Sequence, residues 1–268
     1  MDTTQLSIVF EDEAILLINK PAGITVNKSE TTIHEKTVQD LVEEYIGIKP
    51  LPESKTHGRV QEAQAGEEDG VETFDASKAF YFRAGIVHRI DKETSGLLLI
   101  AKNLETFLDL QKQFKEREVH KVYRALVHGR VVPTTGEINV PVGRLPWNRR
   151  QFGVVAGGRE SVTKYQVLGY FRTDDKRREI VSLLELKPLT GRTHQIRVHL
   201  QYLGHPIFSD FLYAGRKTQK VDRRLLGRVF LHAATLSFRH PISRKEVTFD
   251  SPLPEELAHV MDQLVPVV

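Results

Sequence analysis

The chain has 268 residues, long enough for one large domain or two small ones and for a substantial buried core. Its 40% hydrophobic and 27% charged residues are typical of a globular protein and exclude overall disorder. The absence of cysteine excludes disulfides, thiol catalysis and cysteine metal sites, and a net charge of +3 is too small to identify a partner.

The N-terminus has no basic start followed by an apolar run, so it does not resemble a signal peptide. The longest apolar stretch, LLLIA at 97–101, is far too short to cross a bilayer. These features predict a soluble cytoplasmic protein without a membrane segment.

The first part of the chain predicts two strands, a turn and a helix. LSIVFED (6–12) and AILLINK (14–20) have the composition of short strands, and PAG (21–23) is typical of a turn. TVQDLVEEYIG (37–47) predicts a helix, because apolar residues recur at helical spacing and a glycine can end it. Residues 49–80 are polar and lack periodicity, so they predict a long loop or insertion.

The rest of the chain predicts further strands and two more helices, without an internal repeat or an obvious linker. The predicted strands are GIVHRID (85–91), LLLIA (97–101), HKVYRALVHG (120–129), SVTKYQVLGYF (161–171) and EIVSLLELKPL (179–189). The predicted helices are LETFLDLQKQFKER (104–117) and the part of TGRTHQIRVHLQYLGHP (190–206) between an initial turn and the closing glycine and proline.

Basic residues cluster in QKQFKEREVHKVYR (111–124), RLPWNRRQF (144–152) and GRKTQKVDRRLLGR (215–228). Each segment can be a solvated face or a surface that binds a polyanion, and charge alone does not decide between them. Trp147 and Phe152 lie among arginines, which favours nucleic acid, because aromatic rings and guanidinium groups both stack on bases.

The segment GIVHRIDKETSG (85–96) places several charged residues between two apolar stretches. In an extended chain Arg89 and Asp91 share one face, and the turn-forming KETSG (92–96) follows. Asp91 is therefore expected at a strand end beside a loop. A catalytic carboxylate and a carboxylate that caps the strand both fit this position.

Several familiar site types are absent from the sequence. There is no glycine-rich loop and D-F-G of a protein kinase, and no G-x-S-x-G of a hydrolase. His194 and His199 are five residues apart, about 140° around a helix, so they cannot form the one-face pair of a zinc protease. No metal site is predicted, and the histidines are interpreted as hydrogen-bonding residues.

VHRIDKETSGLLLIAK (87–102) resembles the central motif HRLDxxTSGLLLxAK of the RluA-type pseudouridine synthases. The resemblance runs from about residue 6 to 257, and it implies a single α+β domain with a long mixed, largely antiparallel sheet, helices packed on it and a cleft that holds Asp91. Further matching segments follow in the family's order: NKPAG (19–23), FKEREVHKVYRALVHG (114–129), GEINVPVGR (136–144), GGRESVTKYQVL (157–168), LKPLTGRTHQIRVHLQYLGHPIFSD (186–210), LHAATLSFRHP (231–241) and FDSPLPEEL (249–257).

The chain departs from the family pattern at a few places. Ile90 stands where leucine is usual, a volume-conserving exchange, and Asn27 stands where many members have histidine, so Asn27 is assigned no role. Residues 49–80 do not match the family well. Because the match already begins at Leu6, we expect one catalytic domain over residues 1–268, without the small S4-like RNA-binding domain of some members.

The resemblance implies isomerisation of a uridine in RNA, in which the C1′–N1 bond breaks, the uracil turns and C1′ rejoins at C5. Asp91 matches the family's catalytic aspartate; attack on C1′, addition to the uracil ring and deprotonation of C2′ remain open for it. Arg197 matches the basic partner of that aspartate, and such a charge favours the ionised carboxylate. Tyr123 matches the tyrosine that stacks on the target base and can take the C5 proton. No cofactor and no metal are expected.

The same resemblance predicts residues that bind RNA. Arg89 is expected to fill the place of the extruded uridine, stacking on its neighbours and contacting phosphate. Arg192 and His194 are further candidates. Lys20 is also a candidate, although it and the turn Pro21–Gly23 are interpreted as mainly structural.

His88, Thr94 and Ser95 are expected to build the loop around Asp91 through hydrogen bonds rather than to react. The favoured substrate is a stem-loop of ribosomal RNA, with transfer RNA as the alternative, and a monomer is expected. A non-catalytic RNA-binding or assembly factor of the same fold is an alternative of a different class, and a hydrolase of another nucleoside is a third. The joint presence of Asp91, Tyr123 and Arg197 argues against a loss of turnover.

Overall fold

The structure is a computed structural model that describes residues 5–29, 32–48, 76–173 and 178–267. The helices in these ranges are α1 (Val38–Ile46), α2 (Ala76–Phe82), α3 (Leu104–Lys115), α4 (Gln195–Tyr202), α5 (Arg216–Asp222) and α6 (Glu255–Asp262). The strands are β1 (Ile8–Glu11), β2 (Ile15–Lys20), β3 (Ser95–Ala101), β4 (His120–His128), β5 (Thr135–Asn139), β6 (Val142–Leu145), β7 (Asn148–Val154), β8 (Val162–Thr173), β9 (Ile180–Pro188), β10 (Leu231–Arg239), β11 (Glu246–Asp250) and β12 (Leu264–Val267). None of the helices in the described ranges has the length and apolar character needed to cross a membrane.

The chain divides into two compact units. The first comprises Met1–Lys92, Leu97–Val119 and Ser237–Thr248, and the second comprises Glu93–Gly96, His120–Leu236 and Phe249–Val268. Strands β3, β10 and β11 contribute residues to both units. The expectation of one catalytic domain over residues 1–268 stays a prediction.

In the first unit, β1 pairs antiparallel with β2, and β2 neighbours β3. All seven residues of β3 are buried, which explains why its sequence is a continuous apolar run rather than an alternating one. Helix α1 begins after Thr37, which forms a capping box with Asp40, and ends at Gly47, whose φ of 76° is left-handed.

In the second unit, the hydrogen-bonded strand order is β10-β4-β9-β8-β12, and β5 also pairs with β8. The pairs β4–β9, β8–β9, β8–β12 and β5–β8 are antiparallel. Strands β6 and β7 form a separate antiparallel hairpin. This unit therefore combines a largely antiparallel sheet with helices α4, α5 and α6.

The first two residues of β3 pair in parallel with β10, at Ser95–His232 and Gly96–Ala233. A Cβ atom at position 96 would lie 2.2 Å from the Ala233 carbonyl oxygen, and the φ of Gly96 is +116°. Only glycine fits both conditions. The turn KETSG therefore needs its glycine because the chain enters β3 in close contact with another backbone.

Most of the predicted elements are confirmed. The two N-terminal strands, the first helix and the later strands and helices lie close to the predicted ranges, and the α+β class is confirmed. The strand predicted for GIVHRID is wrong: only Ile86 pairs, in an isolated bridge to Ile100, and 87–91 form no regular strand. The loop predicted for residues 49–80 is wrong for its last residues, because helix α2 begins at Ala76. Residues 49–75 lie outside the described residues.

Candidate active site

Asp91 lies in a loop, residues 87–94, that leads into β3. The beginning of this loop is held by His88. Its Nε2 accepts a hydrogen bond from the backbone N–H of Leu99 (3.0 Å), and its ring stacks on Phe114 of α3 with centroids 4.9 Å apart. The predicted hydrogen-bonding role of His88 is confirmed, because this contact fixes the loop against the buried strand that follows it.

Lys20 connects the turn after β2 to the residue that follows Asp91. Its side chain is fully buried, and Nζ donates to the carbonyl oxygens of Pro21 (2.8 Å), Ile24 (2.9 Å) and Lys92 (3.2 Å). The N–H of Gly23 donates to the same Lys92 oxygen at 2.7 Å. This burial supports the structural interpretation of Lys20 and leaves none of its side chain exposed for an RNA contact.

Glu93 anchors the far side of the loop. Its carboxylate accepts two hydrogen bonds from Nη2 of Arg223 (2.9 and 2.8 Å) and one from the N–H of Val229 (3.1 Å). Arg228, which is 6% exposed, donates from Nη1 to the carbonyl oxygen of Glu93 at 3.3 Å. Both arginines belong to the basic segment 215–228, so the interpretation of that segment as a solvated or RNA-binding face is wrong for them.

Ser95 is held in the same way. Its Oγ lies 2.9 Å from Nδ1 of His232 and accepts a hydrogen bond from Nη2 of Arg228 at 3.0 Å. The expected hydrogen-bonding role is confirmed for Ser95, whereas the buried hydroxyl of Thr94 has no hydrogen-bond partner among the described residues. Burial lowers the pKa of His232 to about 4, so the ring is neutral near neutral pH.

Within the loop itself, Arg89 is exposed and Asp91 is half-buried. Burial lowers the pKa of Arg83, and the positive charge of Arg89 lowers it further. Arg89 therefore adds positive charge to the surface beside Asp91.

In the second unit, Tyr123 lies on β4 opposite Leu186 of β9, and only 8% of its surface is exposed. Lys121 precedes it by two residues and so lies on the same face of the strand. Burial lowers the pKa of Lys121 to about 8. The face that carries Tyr123 therefore also carries a lysine whose charge is sensitive to its surroundings.

Arg197 lies in the first turn of α4 and is 3% exposed. Its Nε and Nη2 donate to the two carboxylate oxygens of Asp210, at 2.7 and 2.8 Å, and Asp210 is itself fully buried. Oδ1 of Asp210 also accepts the N–H groups of Leu212 (2.9 Å) and Tyr213 (3.1 Å). This buried two-pronged pair fixes the guanidinium plane. The predicted pairing of Arg197 with Asp91 stays a prediction.

Asp210 is a residue that the sequence analysis missed. It ends the matched segment that includes GHPIFSD, so its place in the motif was visible, but no periodicity or spacing connects it to Arg197. Its role emerges only from the fold.

The two other RNA-binding candidates flank the start of α4. His194 is the N-cap residue with a left-handed φ of 56°, and its Nδ1 lies 2.9 Å from the hydroxyl of Tyr213. Arg192 is half-buried, and its Nε donates to the carbonyl of Glu160 at 3.4 Å. Contact of either residue with RNA stays a prediction.

A second buried ionic cluster supports the segment next to Asp210. Nε2 of His128 lies 2.8 Å from Oδ2 of Asp222, and its Nδ1 lies 3.1 Å from Glu179. Oδ2 of Asp222 also accepts the N–H of Ser209 at 3.2 Å. Burial opposes the charged ring, but the hydrogen bonds and charges of the two carboxylates outweigh it and raise the pKa of His128 to about 9. His128 is therefore protonated near neutral pH.

The structure thus places Lys20, Arg89 and Asp91 in the first unit and Tyr123, Arg192, His194 and Arg197 in the second. Among the described residues, no group of three or more histidine, aspartate or glutamate side chains is arranged to hold a metal ion. The first unit contributes a half-buried aspartate on an anchored loop, and the second contributes a buried arginine at the start of a helix.

Comparison with known proteins identifies the class. A family model described as RNA pseudouridylate synthase matches residues 14–202, and the chain belongs to this family. The predicted family membership is confirmed. All seven predicted site residues lie within the matched range.

Among the relatives, ribosomal large subunit pseudouridine synthase D of Neisseria meningitidis serogroup B is 34% identical over 266 residues. That match covers 97% of this chain and 61% of the relative, so the chain spans less than two thirds of the length of that protein. The uncharacterized RNA pseudouridine synthase YlyB of Bacillus subtilis is 34% identical over 259 residues, with coverage of 97% and 73%.

Among solved structures, human RNA pseudouridylate synthase domain containing 1 is similar, with a TM-score of 0.70 and 25% identity. The similarity covers 100% of this chain and 91% of the human chain. Human RNA pseudouridylate synthase domain containing 4 has the same fold, with a TM-score of 0.64 at 23% identity. The predicted pseudouridine-synthase-like fold is confirmed.

We expect Lys20→Met to lower the free energy of unfolding by at least about 2 kcal/mol, because buried carbonyl groups lose a charged donor. Lys92→Met is the matched control. Its side chain is 47% exposed and its ammonium pairs with Glu35 at 2.6 Å, and such surface pairs contribute about 0–1 kcal/mol. Urea unfolding of both variants measures the difference, and equal losses would show that the buried ammonium does not hold the loop.

The raised pKa of His128 predicts a pH dependence of stability. The ordinary value is 6.5 and the folded value is about 9, so the stabilisation is complete below pH 6.5 and is lost as the pH rises toward 9. Between pH 6.5 and about 8 we expect a loss of about 2 kcal/mol, which His128→Gln should abolish.

Urea unfolding at intervals of pH measures this slope. The series stops at about pH 8 because the lowered pKa of Lys121 adds stability above that pH, as the unfolded chain then binds more protons. The same slope in His128→Gln as in the wild type would assign the pH dependence to another group.

Proposed function

We propose that the protein is an RNA pseudouridine synthase that isomerises uridine in large-subunit ribosomal RNA. The single observation that carries the proposal is the anchored loop of Asp91 in a chain of this family. Lys20 and His88 hold the first side of the loop, and Arg223 and Arg228 hold the second. A carboxylate that must meet one atom of a nucleotide needs such a fixed position.

In this proposal, the carboxylate of Asp91 reacts with the target nucleotide while the C1′–N1 bond breaks. The uracil turns in the site, C1′ bonds to C5, the proton at C5 leaves, and N1, which has lost its bond to C1′, takes up a proton. Substrate and product contain the same atoms, so the reaction consumes no co-reactant. Attack on C1′, addition to the ring and deprotonation of C2′ are all compatible with a single carboxylate in this role.

Arg197 and Tyr123 complete the proposed catalytic set. The two-pronged pair with Asp210 leaves the guanidinium of Arg197 in one orientation, which suits a residue that must keep a second carboxylate ionised. Tyr123 is held on β4 opposite the buried Leu186, which suits a ring that stacks on the target base.

The choice of ribosomal RNA is supported by the Neisseria relative, whose name states that it acts on the ribosomal large subunit. Transfer RNA is the alternative substrate. Arg89, Arg192 and His194 are the proposed RNA contacts. The cytoplasmic location, the monomeric state and the single catalytic domain are part of the same proposal.

Asp91→Asn should fold and bind RNA but form no pseudouridine, because it keeps the shape of the side chain and removes the charge that the chemistry needs. The measurement is pseudouridine mapping of unmodified large-subunit ribosomal RNA after incubation with each protein. Glu116→Gln, a carboxylate 46% exposed at the end of α3, is the control and should keep full activity. Turnover by Asp91→Asn free of wild-type enzyme would rule out Asp91 as the essential residue.

Arg89→Ala should fail in a different way from Asp91→Asn. If Arg89 stabilises the extruded uridine, Arg89→Ala raises the free energy of that state by part of the extrusion cost, which is a few kcal/mol at most. The penalty should be large for a uridine stacked in a structured loop and small for the same uridine in a flexible single strand. Asp91→Asn should be inactive on both.

Single-turnover rates of both variants on matched stacked and unstacked RNAs, with binding measured separately, make the comparison. An equal loss for Arg89→Ala on the two RNAs would assign Arg89 to the chemistry or to the loop structure instead.

A further inference from the structure

The single tryptophan of the chain lies at the tip of the β6–β7 hairpin. Trp147 is 79% exposed, more than any other large hydrophobic residue among those described. An isolated exposed hydrophobic side chain is ordinary by itself. Trp147 differs in that the hairpin that carries it is basic and is anchored to the segment after α4.

The hairpin is basic. Residues 142–154 contain Arg144, Arg149 and Arg150 and no acidic residue, so the hairpin has a formal charge of +3. Cζ of Arg144 lies 5.3 Å from the ring centroid of Phe152, next to the tip. The strand register shifts between Arg144 and Leu145, and such bulges redirect side chains. An exposed ring among arginines matches the composition of a surface that binds single-stranded nucleic acid.

The hairpin is fixed to the segment after α4 along β7, and its base belongs to a buried apolar cluster. The N–H of Phe152 donates to the hydroxyl of Tyr213 at 3.2 Å, and Nε2 of Gln151 donates to the carbonyl of Leu212 at 3.0 Å. Val142, Val198 and Tyr213 form a buried apolar cluster against which Phe152, Val154 and Leu212 pack. The hairpin is therefore an arm with a rigid base, so a contact at its tip costs little ordering of the chain.

The same anchor belongs to the network of Arg197. Tyr213 donates its backbone N–H to Asp210, the partner of Arg197, and its hydroxyl lies 2.9 Å from Nδ1 of His194. The position of the arm is thus set by the residues that orient a proposed catalytic side chain. This connection links the hairpin that carries Trp147 to the surroundings of Arg197.

We propose that the β6–β7 hairpin is an RNA-binding arm in which Trp147 stacks on an unpaired base of the substrate and Arg144 meets a flanking phosphate. This inference rests on the proposed function, because it assigns the RNA to the same second unit that carries Tyr123 and Arg197. It goes beyond that function by naming the side chain that reads single-stranded character.

Because Trp147 is the only tryptophan, fluorescence excited at the red edge of the indole absorption, where tyrosine does not absorb, reports on this side chain alone. The probes are single-stranded polyuridylate, duplex poly(A)·poly(U) and inorganic polyphosphate, with binding of each measured separately. Polyuridylate should quench the emission and shield the ring from acrylamide. Polyphosphate carries charge without bases and should bind without quenching, and the duplex, whose bases are already paired, should quench less than the single strand.

Trp147→Ala should weaken binding of polyuridylate by about 5- to 150-fold, the effect of losing one stacked base. Trp147→Phe should recover part of that loss because it keeps an aromatic face. Tyr202→Ala is the matched control, since that ring is 59% exposed on α4, and it should bind as the wild type does. Binding within twofold of the wild type for Trp147→Ala, or equal quenching by polyphosphate and polyuridylate, overturns the inference.

Pseudouridine mapping with the same proteins separates the two proposals. If the wild type forms pseudouridine but Trp147→Ala binds RNA normally, the RNA-binding arm is wrong and the proposed function stands. If bases stack on Trp147 but the wild type modifies neither ribosomal nor transfer RNA, the proposed function is wrong and the RNA-binding arm stands.

Discussion

A buried ammonium group determines where the loop of Asp91 lies. Lys20 has no exposed surface, and a charge in that position is stable only if its donors are satisfied. Three backbone carbonyls satisfy them, and one belongs to Lys92, the neighbour of Asp91. The turn after β2 must therefore stay against the loop, and the glycine of the turn donates to the same oxygen. The position of the candidate catalytic carboxylate depends on a residue that does not react.

The second unit uses buried ion pairs for the same purpose. Asp210 orients Arg197, and the His128–Asp222 pair holds Ser209, the residue before Asp210. Because both carboxylates also accept backbone N–H groups, the chain between β9 and β10 is fixed by charge as well as by apolar packing. Such pairs contribute little net stability compared with apolar residues of equal size. Their value lies in the unique orientation that they impose.

Basic residues of similar sequence context have different roles in this protein, depending on whether they are buried or exposed. Arg223 and Arg228 come from a segment that appears basic and solvated, yet they bind the backbone and side chain of Glu93. The hairpin around Trp147, of similar composition, exposes its aromatic tip. Other basic residues of the first segment, Arg216, Lys217, Lys220 and Arg224, are exposed, so burial rather than composition separates the structural arginines from the surface charges.

The sequence by itself determined most helices and strands, the family motif and the candidates Asp91, Tyr123 and Arg197, because periodicity, capping and motif order are local properties of the chain. It did not determine that 87–91 leave the sheet, that Lys20 is buried, or that Asp210 holds Arg197. Those features join residues far apart in the chain, such as Lys20 and Lys92, which are 72 positions apart, or His128 and Asp222, which are 94 apart. Only the tertiary structure decides such contacts, because the cost of burying each charge depends on the partner that folding brings to it.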